Sequence, residues 1–543
     1  MKKGKLLVIT GLVLVIVLAG CGNQGNAPAA SGGTASPSSA PTEGWFAGRT
    51  FSKPMTIEYA GIQIDESKDY NNGDAFVKQF REKFNVTWDI IPIAWESWAE
   101  RLRVWINSGD APEMFILSFN FAEAAAYADQ GLIKRFPDDW KTKYPNLWRA
   151  QSNVPLAQLT EEEMGGTYIL FRPLFANNRP AKKLSDHVTP FMRKDWAQAV
   201  GVELKEGMKI SEIFDYARKV KAANPGKVNN FFPIHATSIN MSLFVMANNA
   251  YSGYYSPYYR GTDGKYHWGP GDPATLEALK MLSQAYREGL IVPDFYTLTS
   301  SDDQGKFYTA GTSAMTWGGA MSVGFRDFST YLRQDLNLDY ADVAQAVTIL
   351  GEDGHYHGYS LQNYWGTTGF SADLDDEKFD RILQMMDYSC TDEGQLEIRL
   401  GIKGVDWDIG SDGNPYSKMA ADEILWDKYA MLPIYVNMMI LSDDFQFNDL
   451  NYPEWARNAS KKMYQDRERF STDLTLAPEP DQTVALHSSR AVNQASMTYS
   501  EEYAALIVKP GDIEANWRAW VAEKMPLIQP VLNELDAAAA AGR

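Results

Sequence analysis

Between Met55 and Ser118 the sequence switches repeatedly between two periodicities, and this alternation restricts the fold more than any other stretch. Met55-Thr56-Ile57-Glu58-Tyr59 alternates apolar and polar residues as a half-buried strand does, and Gly61 ends it. Phe76, Phe80 and Phe84 recur at helical spacing, and Val86, Trp88 and Ile90 alternate again. Trp98, Leu102, Trp105 and Ile106 return to helical spacing up to Gly109, and Glu113 to Ser118 reads as a third strand. Strand, helix, strand, helix, strand at such short intervals predicts an α/β fold with a parallel sheet. Ligands of such sheets gather at the carboxyl ends of the strands. That marks Gln63 and Asp65 after the first strand, and Ser118, Phe119 and Asn120 after the third, as candidate binding residues.

The N-terminus sets the compartment. Lys2, Lys3 and Lys5 precede an uncharged apolar run from Leu6 to Leu18, the pattern of an export signal. A bilayer span needs about 20 apolar residues, so the run is too short to be one. Leu18-Ala19-Gly20-Cys21 resembles the lipobox of bacterial lipoproteins. The resemblance implies removal of a signal peptide over 1–20 and acylation of Cys21, a palmitate-type anchor on the extracytoplasmic face of the cell membrane. The second of the two cysteines, Cys390, lies in an apolar stretch and reads as a buried thiol. Such a chain has no disulfide and must be held by its core. Residues 21–44, rich in Ser, Pro and Gly, form a flexible linker that keeps the body roughly 25 Å from its anchor. The chain beyond this linker is too long for one core and sufficient for two lobes. The net charge of −18 disfavours nucleic acid and anionic membrane surfaces as partners.

A series of short motifs then falls in a recognisable order. Ser108-Gly109-Asp110-Ala111-Pro112-Glu113, Tyr127-Ala128-Asp129-Gln130-Gly131-Leu132-Ile133 and Lys143-Tyr144-Pro145-Asn146 are followed by Gly166-Thr167-Tyr168-Ile169-Leu170 and by Arg193-Lys194-Asp195-Trp196. Further on come Tyr286-Arg287-Glu288-Gly289-Leu290-Ile291, Ser313-Ala314-Met315-Thr316-Trp317-Gly318-Gly319 and Gly401-Ile402-Lys403-Gly404-Val405-Asp406-Trp407. Together they resemble extracellular solute-binding proteins of family 1, the maltose-binding-protein-like receptors of ABC importers for sugars and oligosaccharides. The resemblance implies a two-lobed, type II periplasmic-binding-protein-like fold, each lobe a mainly parallel sheet flanked by helices, with a C-terminal helical segment. Lobe 1 is expected over 45–168 and 360–420, and lobe 2 over 169–359 and 421–543, with crossings near Tyr168 and Ser360. It also implies an oligosaccharide ligand in the cleft, a membrane permease as partner, a monomer and no cofactor. Relatives for acidic oligosaccharides carry an aspartate-rich calcium loop where this chain has Asn224-Pro225-Gly226-Lys227-Val228-Asn229-Asn230; with no carboxylate left, no metal is expected there.

The residues themselves point the same way. Asp272 before Pro273 predicts a helix start, and Leu276, Leu279, Leu282, Tyr286 and Leu290 form one apolar stripe. Trp517, Trp520, Val521, Met525 and Ile528 predict a final packed helix that frays over Ala537 to Ala541. No G-x-S-x-G, P-loop or H-E-x-x-H pattern occurs. His355-Tyr356-His357, flanked by Gly354 and Gly358 and close to Asp353, reads first as a hairpin tip and second as a metal site. A sugar ring offers an apolar face and a hydroxyl rim, so flat aromatic rings among polar groups are the strongest ligand signal. Tyr251, Tyr254, Tyr255, Tyr258 and Tyr259 interleave with Ser and Gly, Trp268 follows in the same loop, Trp317 precedes two glycines, and Tyr364-Trp365 follows the return crossing. Arg172 follows the first hinge strand and is a candidate for substrate hydroxyls or a substrate carboxylate, the alternative being a bridge to a carboxylate of its own lobe. Met438-Met439-Ile440 beside Tyr435 reads as core. The alternatives are a surface glycosidase or polysaccharide lyase, whose paired carboxylates have no sequence signature, an adhesin or sensor, and a receptor for another polar solute such as a peptide.

Overall fold

The computed structural model describes residues 44–62, 64, 66–94, 97–117, 120–173, 181, 185, 187–298, 308, 310–360, 364–420, 423–432, 434–435, 449–472, 475–477 and 481–541. Gln63, Asp65, Ser118, Phe119, Cys21 and Met438-Met439-Ile440 lie outside them. The chain divides into two compact units, 1–50 and 51–543. In the first, the described residues form a turn in which the Arg49 guanidinium lies 4.2 Å from the centre of the Trp45 ring.

The second unit begins with the predicted alternation. Its strands are β1 (Met55–Gly61), β2 (Val86–Pro92) and β3 (Met114–Leu117), with α1 (Ala75–Phe84) and α2 (Trp98–Ser108) between them. The Asp74 side chain caps α1 by accepting from Val77 N at 2.7 Å. Gly109, at φ +79°, ends α2 in the left-handed conformation that glycine adopts without strain. Phe76, Phe80 and Phe84 are buried under the sheet, as their spacing predicts.

β1 runs parallel to β2 and β3. The sheet is completed by Tyr364–Phe370, antiparallel to β3, and by β4 (Leu170–Pro173), antiparallel to Tyr364–Phe370. The sheet is therefore mixed. The late strand does not return through a crossover helix, so nothing forces it parallel. It starts at the carboxyl edge of β3, with Thr367 opposite Leu117. Consequently the chain leaves this sheet after Pro173 and rejoins it at Tyr364 along one edge. Rings of Tyr429 and Tyr435 pack on Phe76 and Phe80, so this body continues at least to Tyr435, past the expected boundary at 420.

The second body is built on β5 (Val188–Arg193), antiparallel to Met315–Gly319 and to Ala344–Ala346. Parallel pairs join it: Thr348–Leu350 with Gly207–Lys209, and Ile234 with Ile291 and Met315. Pro273 starts a helix to Arg287 whose Leu276, Leu279 and Leu282 are buried. The C-terminal helix runs from Ile513 to Ala540 and buries Trp517, Trp520, Ile528, Val531, Leu532 and Leu535. It does not fray at Ala537, because alanine is the strongest helix former. Cys390 is buried, and burial pushes its thiol pKa up. No helix among the described residues is long and apolar enough to cross a membrane.

Candidate functional site

The carboxyl edge of the first sheet gathers a layered stack. The Arg172 guanidinium lies 4.7 Å from the centre of the Trp365 ring. Trp365 stacks in turn on Trp98, with centroids 5.8 Å apart and planes 23° from parallel. Trp98 is fixed by its indole N–H, which donates to the Ile116 carbonyl at 2.8 Å. Burial lowers the Arg172 pKa to about 10, with neighbouring Tyr59 opposing the shift, so the group stays a cation at neutral pH. Trp365 remains half-buried, and Tyr364 beside it meets Phe171 edge-on at 4.8 Å.

Three local features aim these side chains. Gly366 takes φ +66°, where the pairing of Tyr364–Phe370 with β4 shifts register, and the irregularity turns Tyr364 and Trp365 at the sheet edge. Buried Gln151 accepts from Phe171 N at 2.9 Å and donates to Phe171 O at 2.7 Å, supplying the outer side of β4 with the partner that an edge strand lacks. Tyr59 reaches along β1 over Gly61, where an added Cβ would lie 2.6 Å from the phenol oxygen. The Tyr59 hydroxyl is buried and has no hydrogen-bond partner among the described residues, and burial raises its pKa.

Asn120, also expected at this rim, is exposed and caps the helix α3 (Phe121–Asp129), accepting from Glu123 N at 3.2 Å. It borders a small cavity of about 160 Å³ with Leu117, Arg103 and Glu123. A larger cavity of about 550 Å³ opens at the carboxyl end of β2, lined among others by Lys68, Tyr70, Trp88 and Arg101.

The second body contributes a cluster of tyrosines. Tyr251 stacks on Tyr259 at 4.6 Å and meets Tyr359 edge-on at 5.8 Å, and Tyr255 lies 5.9 Å from Tyr359. Tyr254 packs edge-on against Tyr255, whose ring is 40% exposed, while Tyr258 leans on the core. The Tyr259 hydroxyl donates to Asp272 at 3.0 Å. That bond replaces the helix cap expected of Asp272, which makes no side-chain capping bond, and burial raises its carboxyl pKa. Tyr359 and Tyr364 are five residues apart, a span of at most about 18 Å, so the two aromatic groups flank one crossing. The segment Gln482–Leu486, held on the C-terminal helix, also lies against α3 of the first body.

Two expected platforms are placed elsewhere. Trp268 is a core ring, 4% exposed, packed on Trp520 and donating its indole N–H to the Tyr499 hydroxyl at 2.9 Å. Trp317 is buried edge-on against Phe244 at 5.5 Å. The glycines after it make room for protein: a Cβ at Gly318 would lie 2.8 Å from the Phe191 ring. Tyr59, Trp98 and Tyr359 enter the two groups without having been singled out in the sequence. The first two fitted a strand and a helix stripe, and only the strand neighbours bring them to Arg172.

The histidine tip is held by ordinary bonds. His357 Nε2 meets Asp353 Oδ2 at 3.0 Å and His355 Nδ1 meets the Phe470 carbonyl at 3.2 Å. Among the described residues no group of three or more His, Cys, Asp or Glu side chains is arranged to hold a metal. In the loop after the helix Ile210–Ala223, the Asn224 amide accepts from Val228 N at 3.1 Å and donates to Val228 O at 2.9 Å, closing the turn through its own side chain.

No family model matches the chain, and no curated protein matches it in sequence. Solved structures do match it through nearly their whole length. The alginate-binding protein AlgQ2, solved without calcium ion, superposes with a TM-score of 0.63 at 15% identity, over 90% of this chain and 98% of that one. The substrate-binding protein FusA of the S. pneumoniae ABC transporter, in complex with kestose, gives 0.63 at 13% identity, over 89% and 98%. An HMO-binding solute-binding protein associated with an ABC transporter of Bifidobacterium longum infantis gives 0.60 at 16%, over 90% and 98%. The chain has the two-lobed α/β fold of ABC-transporter solute-binding proteins.

Proposed function

We propose that this chain is the oligosaccharide receptor of an ABC importer, held at the outer face of the cell membrane through Cys21. The observation that carries the reading is the Arg172, Trp365 and Trp98 stack beside the return crossing, with the Tyr251, Tyr255 and Tyr359 cluster one crossing away. The exposed edge of the Trp365 indole and the Tyr255 ring, 40% exposed, offer a sugar apolar surface, and the buried Arg172 behind the indole fixes its orientation. Asn120, Tyr254 and Tyr364 border these two surfaces, and Gln63 and Ser118 are assigned to the same rim from their strand ends. The lobes meet at the crossings after Pro173 and before Tyr364, and a third joins Tyr435 to the helix Glu454–Phe470, which packs on Ser322–Leu336. Ligand contacts made by both lobes favour the closed form, which the permease reads; no bond is broken.

The ligands named for the similar structures differ from one another, so they support a saccharide class and not one sugar. Calorimetry against alginate oligosaccharides, milk oligosaccharides and kestose tests the reading. At least one binds the intact chain, and Trp365→Ala weakens that ligand by about 1–3 kcal/mol, the worth of a stacked ring. Unchanged affinity in Trp365→Ala and in Arg172→Met would refute the site. Turnover of a glycan would favour the glycosidase or lyase reading instead.

A further inference from the structure

At the opposite edge of the first sheet a third cavity, of about 460 Å³, opens. It lies where Lys134 N donates to Phe370 O and Phe136 N donates to Thr167 O, both at 2.9 Å. The strand Tyr364–Phe370 separates it from Trp365 by about 17 Å, at roughly 3.3 Å per residue. It is therefore distinct from the site described above.

The cavity is walled by two indoles. Trp148, half-buried, stands perpendicular to buried Trp140, with centroids 5.8 Å apart. Trp140 is fixed by an indole N–H bond to Thr167 Oγ1 at 3.1 Å. The rim carries two ion pairs and one further carboxylate, the exposed Glu162. Lys141 pairs with Glu161 at 2.8 Å while its ammonium lies 4.3 Å from the centre of the Trp148 ring, and Arg135 pairs with Asp138 at 2.8 Å. Gly165 and Gly166 line the cavity, and a Cβ at Gly166 would lie 2.8 Å from Arg135 Nε, so the missing side chain is what lets the guanidinium lie across that wall.

We propose that this cavity is a second saccharide site, taking a neutral pyranose against Trp148 with its hydroxyls on the two ion pairs. Its volume falls in the range of small-ligand sites. The chemistry favours a neutral polyol over an anion. An anion would meet three carboxylates and would have to displace one of them from its cation, whereas a guanidinium with five N–H groups and carboxylates with several lone-pair positions keep spare capacity for hydroxyls after pairing. The apolar face of a pyranose matches the indole wall.

The test uses the full chain labelled with 5-fluorotryptophan, with the Trp148 fluorine line identified by its loss in Trp148→Phe. Maltotriose, cellotriose, xylotriose and kestose are titrated at millimolar concentration, with glutamate as a charged probe. At least one saccharide moves the Trp148 line, equally in the intact chain and in Trp365→Ala. Lys141→Met raises the half-saturation concentration about tenfold or more, the worth of one hydrogen bond to a charged group. The proposal is overturned if none of the four saccharides moves the line, if only glutamate does, or if the response disappears in Trp365→Ala. Because the cleft is scored by calorimetry on Trp365→Ala, failure of either site is read without the other.

Discussion

Gln151 touches no proposed ligand surface, yet replacing it should loosen that surface. β4 has one strand neighbour, and the outward N–H and C=O of Phe171 are both satisfied by the Gln151 amide, at 2.9 and 2.7 Å, in a site where Gln151 is 2% exposed. Gln151→Met keeps length and approximate volume but can neither accept from the N–H nor donate to the C=O. Each buried backbone group left bare costs about 1–3 kcal/mol, so the pair is worth about 2–6 kcal/mol, toward the lower end where water reaches the edge strand. Since 1.4 kcal/mol is tenfold in an equilibrium, even the lower figure means about thirtyfold more frequent opening of β4. Hydrogen exchange read by mass spectrometry on a peptide covering Leu170–Pro173 measures this directly. Protection there should fall by at least that factor, while the helix Asp376–Ser389 keeps its protection. Arg172 lies on the loosened strand, so affinity for any cleft ligand should fall with it. A Gln151→Met protein with unchanged exchange over Leu170–Pro173 would refute the assignment of Gln151 as the clamp on the edge strand.

Burial lowers the His235 pKa to about 4, partly opposed by the charge of Asp294. The folded state therefore binds its proton later than the unfolded chain, whose histidine titrates near 6.5. Stability present above pH 6.5 is lost as the pH falls toward 4, by about 3 kcal/mol, and His235→Gln should remove that part of the acid sensitivity in urea titrations between pH 7 and 4.5. Trp317→Ala should lower stability by about 3–5 kcal/mol as a buried aromatic truncation and leave the ligand affinity of the folded protein unchanged; a selective loss of affinity would return Trp317 to the cleft. Asn224 sits at φ +42° and makes both bonds to Val228, so Asn224→Ala should cost about 1–2 kcal/mol, whereas a chelator should leave the melting temperature of the intact chain unmoved. A chelator-induced drop in melting temperature would contradict the loop reading.

The alternation from Met55 to Leu117 was legible because each periodicity reports a local fact, which face of a short segment is buried. The direction of Tyr364–Phe370 was not, because it depends on a pairing between segments 250 residues apart (Thr367 with Leu117). Arg172, Tyr364 and Trp365 could be singled out from their place beside the crossings. Tyr59 and Trp98 could not, since each fits its element as an ordinary core residue and acquires a second role only from neighbours on other strands. Trp317 misleads for the converse reason. A ring followed by two glycines has the same composition whether the space they leave admits a ligand or, as here, the ring of Phe191.

Arg172 is the penultimate residue of β4 before the chain departs, and Trp365 is the second residue after it comes back. The guanidinium over the indole therefore clasps the two strands at which the chain leaves the first sheet and returns to it. In a lever, points near the fulcrum travel least. If the lobes rock about these crossings as proposed, the clasp stays nearly still, so that part of the proposed binding surface is ready before closure begins. A saccharide would then dock on Trp365 first and be enclosed second, and a variant that weakens the clasp would slow capture more than it hastens escape.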